Sequence, residues 1–139
     1  MPSPKNRVII DTNLWISFLL TKNFSIFSAA AEGGFDIISS MELIDEFQRV
    51  AVRAKFRKYF TLEKLEELLF QMSTTVISVE ITSTVSVCRD RKDNFLLALA
   101  LDSKATHLIT GDKDLLVLKR FRETEILTLT EYLSIEKGL

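Results

Sequence analysis

The 139-residue sequence contains a single cysteine, Cys88, so the chain cannot form an internal disulfide or a zinc site built on several thiolates. This scarcity is typical of proteins in a reducing compartment, and we expect a cytoplasmic protein. There are only four glycines and two prolines, and no stretch is rich in both. Because no flexible linker is indicated and the length suits one core, we expect a single domain over residues 1–139.

Long apolar runs are also missing. The most apolar segments, 14–20 and 95–101, are much shorter than the roughly 20 residues that a membrane-spanning helix needs. The first ten residues, MPSPKNRVII, lack the small-residue cleavage site of a signal peptide and lead directly into a strand-like run. We therefore expect neither a membrane span nor a secretory leader.

A strong positive charge is absent as well, because the formal net charge is −1. This argues mildly against nucleic acid as a partner, although a carboxylate-rich active site would itself lower the net charge. One basic run precedes Tyr59 and Phe60 and is a candidate RNA contact. It comprises Arg49, Arg53, Lys55, Arg57 and Lys58. A solvated helix end, whose basic charges complement the helix dipole, explains this run equally well.

Short β-branched runs alternate with amphipathic segments along the chain. The pattern predicts strands at residues 7–10, 35–38, 75–81, 107–110 and 125–129. It predicts helices at residues 12–33, 41–53, 61–72, 94–104, 115–118 and 130–136. Such alternation is typical of an α/β protein, so we expect a three-layer α/β/α sandwich with a central, mainly parallel sheet.

Acidic residues follow two of the predicted strands. Asp11 comes directly after residues 7–10, and Asp112 follows the strand that ends near Thr110. Parallel strands present their carboxyl ends at one edge of a sheet, so these two carboxylates should lie close together. Asp93 begins the helix that leads into the later strand, and Glu46 lies on the helix after the second strand.

Several carboxylates at one edge would repel one another, by about 4 kcal/mol for two charges about 4 Å apart at an effective dielectric of about 20. Oxygen ligands of this kind suit Mg²⁺ or Mn²⁺, and such ions assist phosphodiester hydrolysis. Each residue also has an ordinary explanation. Asp11 is placed to cap a helix, Asp93 to be a helix cap or an acid in the first helical turn, and Glu46 to be a solvated residue on a helix face.

Four blocks of the sequence carry a resemblance to PIN-domain proteins that covers nearly the whole chain. The blocks are VIIDTN (8–13), SSMELIDEFQRV (39–50), RDRKDNFLLALA (89–100) and LITGDKDLL (108–116). The resemblance implies a metal-dependent ribonuclease with three or four acidic residues on an α/β sandwich, for which the oxygen ligands above suggest Mg²⁺ or Mn²⁺. By position, the family's acidic residues correspond to Asp11, Glu46, Asp93 and Asp112, which we predict to be both catalytic and metal-binding.

Three further residues are predicted to support these carboxylates. Asn13 and Thr110 resemble the family's supporting polar residues, although capping by Asn13 and an ordinary strand role for Thr110 explain them equally well. Asp114 is expected to act through water at most.

The resemblance also bears on the biological role. Many small single-domain bacterial PIN proteins are toxins of toxin–antitoxin pairs and commonly form dimers. We therefore expect an endoribonuclease toxin, with RNA as substrate, an antitoxin protein as partner and a homodimer as assembly. The alternative is a non-enzymatic module, either receiver-like or an RNA scaffold, that uses the acidic pocket to hold Mg²⁺. A receiver needs a lysine at a late strand end, whereas Lys113 here follows an aspartate.

Overall fold

A computed structural model describes residues 5–136, in which six strands form one sheet. The expectation of an amino terminus without a leader concerns, in part, residues outside this range. The strands are β1 (Arg7–Ile10), β2 (Asp36–Ser39), β3 (Ile77–Ser78), β4 (His107–Ile109), β5 (Arg120–Phe121) and β6 (Thr124–Leu127). Their order across the sheet is β3-β2-β1-β4-β6-β5, and every neighbouring pair is parallel except β5 with β6.

Helices cover both faces of the sheet. They are α1 (Thr12–Thr21), α2 (Ser25–Gly33), α3 (Met41–Ala51), α4 (Leu62–Thr75), α5 (Arg91–Ser103), α6 (Lys113–Leu116) and α7 (Leu129–Glu136), with one 3-10 turn at Ala54–Phe56. Successive strand residues point to opposite faces, so Val8 and Ile10 pack against α1–α4 and α7 while Ile9 packs against α5 and α6. The mainly parallel three-layer α/β sandwich is therefore confirmed.

The prediction of one continuous helix over residues 12–33 is wrong. The chain leaves α1 at Lys22, which has a left-handed backbone with φ of 55°, and its backbone N–H donates to Leu19. The Asn23 side chain then accepts from the backbone N–H of Ser25, the first residue of α2, at 3.0 Å, and Phe24 occupies the N-cap position. A left-handed residue at the end of a helix is usually glycine, so a lysine in this position gives only a weak signal of the helix break in the sequence.

Within residues 5–136, no single helix is long and apolar enough to cross a membrane. Helices α1 and α2 together reach the necessary length and apolarity, but they are bent by 117° with respect to each other. Most of their large apolar side chains, including Trp15, Leu19 and Phe27, are buried in the protein core, whereas Leu20 is exposed.

The predicted strand over residues 75–81 is also mostly wrong. Helix α4 continues to Thr75, and only Ile77–Ser78 pairs with β2. The following segment runs to Asp90 without regular structure and is attached by side chains, chiefly Asp102, which accepts from the backbone N–H groups of Thr82 and Ser83 at 2.6 and 2.8 Å. Strand β5, which forms a tight hairpin with β6, was not predicted.

Candidate active site

Asp11 lies at the carboxyl end of β1, where the chain turns into α1. Its side chain is 3 % exposed, and its Oδ2 accepts a hydrogen bond of 2.7 Å from the Thr110 hydroxyl. Its Oδ1 accepts from the backbone N–H of Asn13 at 3.4 Å, which caps α1. Asp11 therefore acts as a helix cap and also lies beside the end of β4, as the strand-end argument predicted.

Asp112 follows β4, which is the parallel neighbour of β1. Its backbone N–H donates to the Thr110 hydroxyl oxygen at 3.0 Å, so one hydroxyl group connects Asp11 with the residue that carries the second carboxylate. Asp112 Oδ1 accepts from the backbone N–H of Asp114 at 2.9 Å. The structure thus places Thr110 between the two strand-end aspartates.

Asp93 lies in the first turn of α5 and is buried beneath this edge. The N-cap of α5 is Asp90, so Asp93 is not the cap but is the acidic residue of the first turn, which was the other ordinary explanation for it. Among the described residues, none makes a hydrogen bond with Asp93 Oδ2. Burial, a hydrogen bond shared with Asp112, and the charges of Asp112, Asp90 and Asp11 raise the pKa of Asp93 to about 7.

Three carboxylates converge closely at this point. Asp93, Asp112 and Asp114 each present an oxygen, and the three oxygens lie within 4.8 Å of one another. A buried carboxylate oxygen without a partner and an all-oxygen donor set are what a hard divalent cation requires, so these residues fit such an ion. Asp114 lies closer to Asp93 and Asp112 than we expected for a residue that acts only through water. Asp11 contributes to the same electrostatic field, because its charge raises the pKa of Asp93.

Glu46 is not part of this convergent group. Its Oε1 atom lies 3.1 Å from Lys92 Nζ, and each side chain is 30 % exposed. Lys92 directly precedes Asp93 in the chain, so Glu46 is near the site but its charge is balanced by an ammonium group. The role of Glu46 as a metal ligand remains a prediction, for which this geometry offers no support.

Arg89 and Lys92 lie beside the acidic group, and the sequence predicted no role for either of them. Arg89 Nη2 lies 3.2 and 3.1 Å from the two carboxylate oxygens of Asp114. Asn94 holds the backbone just before Arg89 by hydrogen bonds to Val87 and Cys88. Burial and the neighbouring aspartates raise the pKa of the Cys88 thiol, so the negative field extends to this segment.

The basic run lies at and beyond the carboxyl end of α3, and all five of its residues are exposed. Lys55 Nζ lies 5.1 Å from the Phe56 ring centroid, and Lys58 Nζ lies 5.2 Å from that of Tyr59. Contact with RNA remains a prediction. His107 begins β4, at the opposite edge of the sheet from the aspartates, and burial lowers its pKa.

A family model described as "PIN domain" matches residues 7–114, which include every acidic residue discussed above. The chain belongs to the PIN domain family. PIN domains are in general metal-dependent nucleases that typically use Mg²⁺ or Mn²⁺, so family membership supports a hydrolase of this class. The chain is also 32 % identical over 123 residues to the uncharacterized protein MJ1680 of Methanocaldococcus jannaschii, which covers 86 % of this chain and 79 % of that protein. No solved structure matches the chain significantly.

The buried Asp93 carboxyl makes the stability of the metal-free PIN domain depend on pH. The folded-state pKa of Asp93, about 7, lies above the ordinary 3.8. The protonated Asp93 carboxyl therefore contributes its full stabilisation of the fold below about pH 4, and this contribution is lost as the pH rises to about 7. We expect the loss to be on the order of 4 kcal/mol at most. Above pH 7, Asp93→Asn should raise the Tm of the metal-free protein, and Mg²⁺ should raise that of the wild type.

The matched control is Asp36→Asn, because Asp36 begins β2 at the opposite sheet edge and forms only a long ion pair with Lys5, at 3.8 Å. Thermal melts of the three proteins with EDTA and with Mg²⁺ make the comparison. Equal pH dependence in the wild type and Asp93→Asn would contradict the electrostatic account.

The Thr110 hydroxyl generates a second prediction. Thr110→Val keeps the shape of the side chain but removes both hydrogen bonds of the hydroxyl, so Asp11 keeps only the longer bond from the Asn13 backbone N–H and is held less firmly. We expect the affinity for Mn²⁺ to fall by roughly 10- to 100-fold, the usual effect of losing a group that orients ligands. Thr110→Ser is the matched control and should retain most of the affinity. Unchanged Mn²⁺ binding by Thr110→Val, measured by calorimetry, would show that the hydroxyl does not organise the site.

Proposed function

We propose that this PIN domain is a metal-dependent endoribonuclease that hydrolyses RNA phosphodiester bonds, with Asp11, Asp93 and Asp112 as its principal acidic residues. The observation that carries the proposal is the buried Asp93 Oδ2, which has no hydrogen-bond partner among residues 5–136 and belongs to a group of carboxylates. A carboxylate left in this state is costly unless a cation compensates it.

A bound Mg²⁺ or Mn²⁺ would supply a water of lowered pKa and would neutralise charge on the phosphate. The chain's own residues provide the positions. Thr110 orients Asp11 through its hydroxyl and fixes the backbone of Asp112, while the first turn of α5 holds Asp93 beneath them. Because all three lie at the carboxyl edge of β1 and β4, a phosphodiester reaches them from the sheet edge.

RNA is the substrate that the surface beyond α3 favours. The basic run provides positive charge for a phosphate backbone, and Tyr59, which is 51 % exposed, offers a ring on which a base can stack. Arg49 lies three residues after Glu46, so the run begins about one helical turn from the Glu46–Lys92 pair. A single strand that follows α3 would connect this surface with the acidic site.

Cleavage assays test the catalytic proposal. Labelled single-stranded and hairpin RNAs should be cut in the presence of Mg²⁺ or Mn²⁺ and remain intact with EDTA. Asp11→Asn and Asp112→Asn should each lower the cleavage rate by at least about 100-fold, because each removes one charge from the cation site. The control variant Asp36→Asn should retain the wild-type rate. Retained cleavage in either site variant would sink the assignment.

We further propose that the nuclease is the toxin of a toxin–antitoxin pair and that it forms a homodimer. The PIN resemblance supports the toxin role. Two large apolar side chains on α4, Leu62 and Phe70, are 66 % and 71 % exposed and provide surface for a protein contact. A short open reading frame beside the gene, encoding a DNA-binding antitoxin, would turn this proposal into a specific claim.

The toxin proposal predicts arrest of growth when the wild-type chain is expressed alone from an inducible promoter. Asp112→Asn expressed at the same level should leave growth normal, because the arrest requires cleavage. Co-expression of the neighbouring reading frame should restore the growth of cells that express the wild-type chain. Arrest by both proteins alike would assign the toxicity to something other than nuclease activity.

A further inference from the structure

The structure points to a substrate-binding role for Arg89, which we propose to contact a phosphate of the RNA strand at the rim of the acidic site. The inference rests on the proposed ribonuclease function and deepens it, since it names a residue that binds the substrate, in addition to the acidic residues that hold the cation. Arg89 lies outside every regular element, yet its guanidinium group is placed directly beside Asp114.

The backbone on both sides of Arg89 is held in place. On the amino-terminal side, Asn94 Oδ1 accepts from the backbone N–H groups of Val87 and Cys88 at 3.0 and 2.7 Å, and Asn94 Nδ2 donates to the Cys88 carbonyl at 2.9 Å. On the other side, Asp90 caps α5 by accepting from the backbone N–H of Lys92 at 2.9 Å. Three side-chain hydrogen bonds and a helix cap therefore fix the point from which Arg89 extends.

The contact between Arg89 and Asp114 does little for stability. The arginine side chain is 89 % exposed and the aspartate side chain 47 % exposed, and ion pairs in this situation contribute about 0–1 kcal/mol. Only Nη2 contacts the carboxylate, so the N–H groups on the other two guanidinium nitrogens are not used by Asp114. Asp114 thus orients the guanidinium group and leaves donors available for another anion.

A phosphate that approaches this edge meets Asp114 and Asp112, with the buried Asp93 beneath them, so it needs positive charge close to these carboxylates. A divalent cation would supply part of that charge within the group. Arg89 supplies more at the rim, and the planar fork of its N–H groups matches the oxygens of a phosphate. Lys92 is less suited to this task, because its ammonium group is paired with Glu46 at 3.1 Å and both side chains are largely covered.

The test is RNA binding by a protein that does not cut. In the Asp11→Asn background with Mg²⁺, fluorescence polarisation measures the Kd for a labelled single-stranded RNA over a series of salt concentrations. Arg89→Gln should weaken binding by roughly 5- to 10-fold and lower the slope of log Kd against log salt by about 0.7, the value for one lost phosphate contact on a single strand. Arg89→Lys should recover the salt slope but only part of the affinity, because it keeps the charge and loses the fork.

The matched control is Arg122→Gln, which makes the same change in the β5–β6 hairpin turn, at the opposite edge of the sheet. It should leave both the Kd and the salt slope unchanged. If Arg89→Gln behaves like this control, or weakens binding without changing the salt slope, Arg89 does not contact a phosphate. Failure of the Asp11→Asn parent to bind RNA, together with absence of cleavage by the wild type, would instead refute the ribonuclease proposal itself.

Discussion

Burial of the Asp93 carboxylate is the constraint on which the rest of the site depends. A carboxylate removed from water needs a hydrogen-bond donor, a proton or a cation, and here one of its oxygens has no donor among the described residues. Asp112 and Asp114 add negative charge to the same small volume, which raises the cost further. A proton held with a pKa of about 7 is the metal-free solution, and a divalent cation is the solution that the PIN family uses.

The fold creates this situation by simple means. Parallel strands β1 and β4 are neighbours at the centre of the sheet. The residues that follow them, Asp11 and Asp112, therefore lie at the same end of the sheet. Thr110 then joins the two aspartates through one hydroxyl group. Helix α5 is apolar over most of its length and packs on one face of the sheet, and this packing carries Asp93 to the same edge.

The sequence predicted these features to different degrees. Strand-end position and sheet order follow from local patterns, so Asp11 and Asp112 were placed correctly at one edge. The pairing of Glu46 with Lys92 and of Asp114 with Arg89 depends on how α3, α5 and the preceding loop pack, and no local pattern records such contacts. The helix break at Lys22 was missed because a lysine adopts the left-handed conformation usually taken by glycine.

Errors in the strands have a similar origin. Residues 75–81 have a strand-like composition, but helix α4 extends to Thr75. Of the remaining residues, Ile77 and Ser78 form the outermost strand of the sheet, β3, which has only one neighbouring strand with which to pair. Strand β5 has two residues, too few to produce a periodic signal. These errors lie at the margins of the sheet, whereas the central strands that carry the site have strong apolar patterns and were predicted closely.

The most direct test of the central claim is the titration of the Asp93 side-chain carboxyl, followed by carbon-detected NMR in the metal-free protein and again with Mg²⁺. We expect a midpoint near pH 7 without metal, and a shift to much lower pH when Mg²⁺ is added, because the cation displaces the proton. A midpoint near the ordinary value of 3.8 that does not respond to Mg²⁺ would contradict the central claim, since the carboxylate would then be neither buried nor part of a cation site.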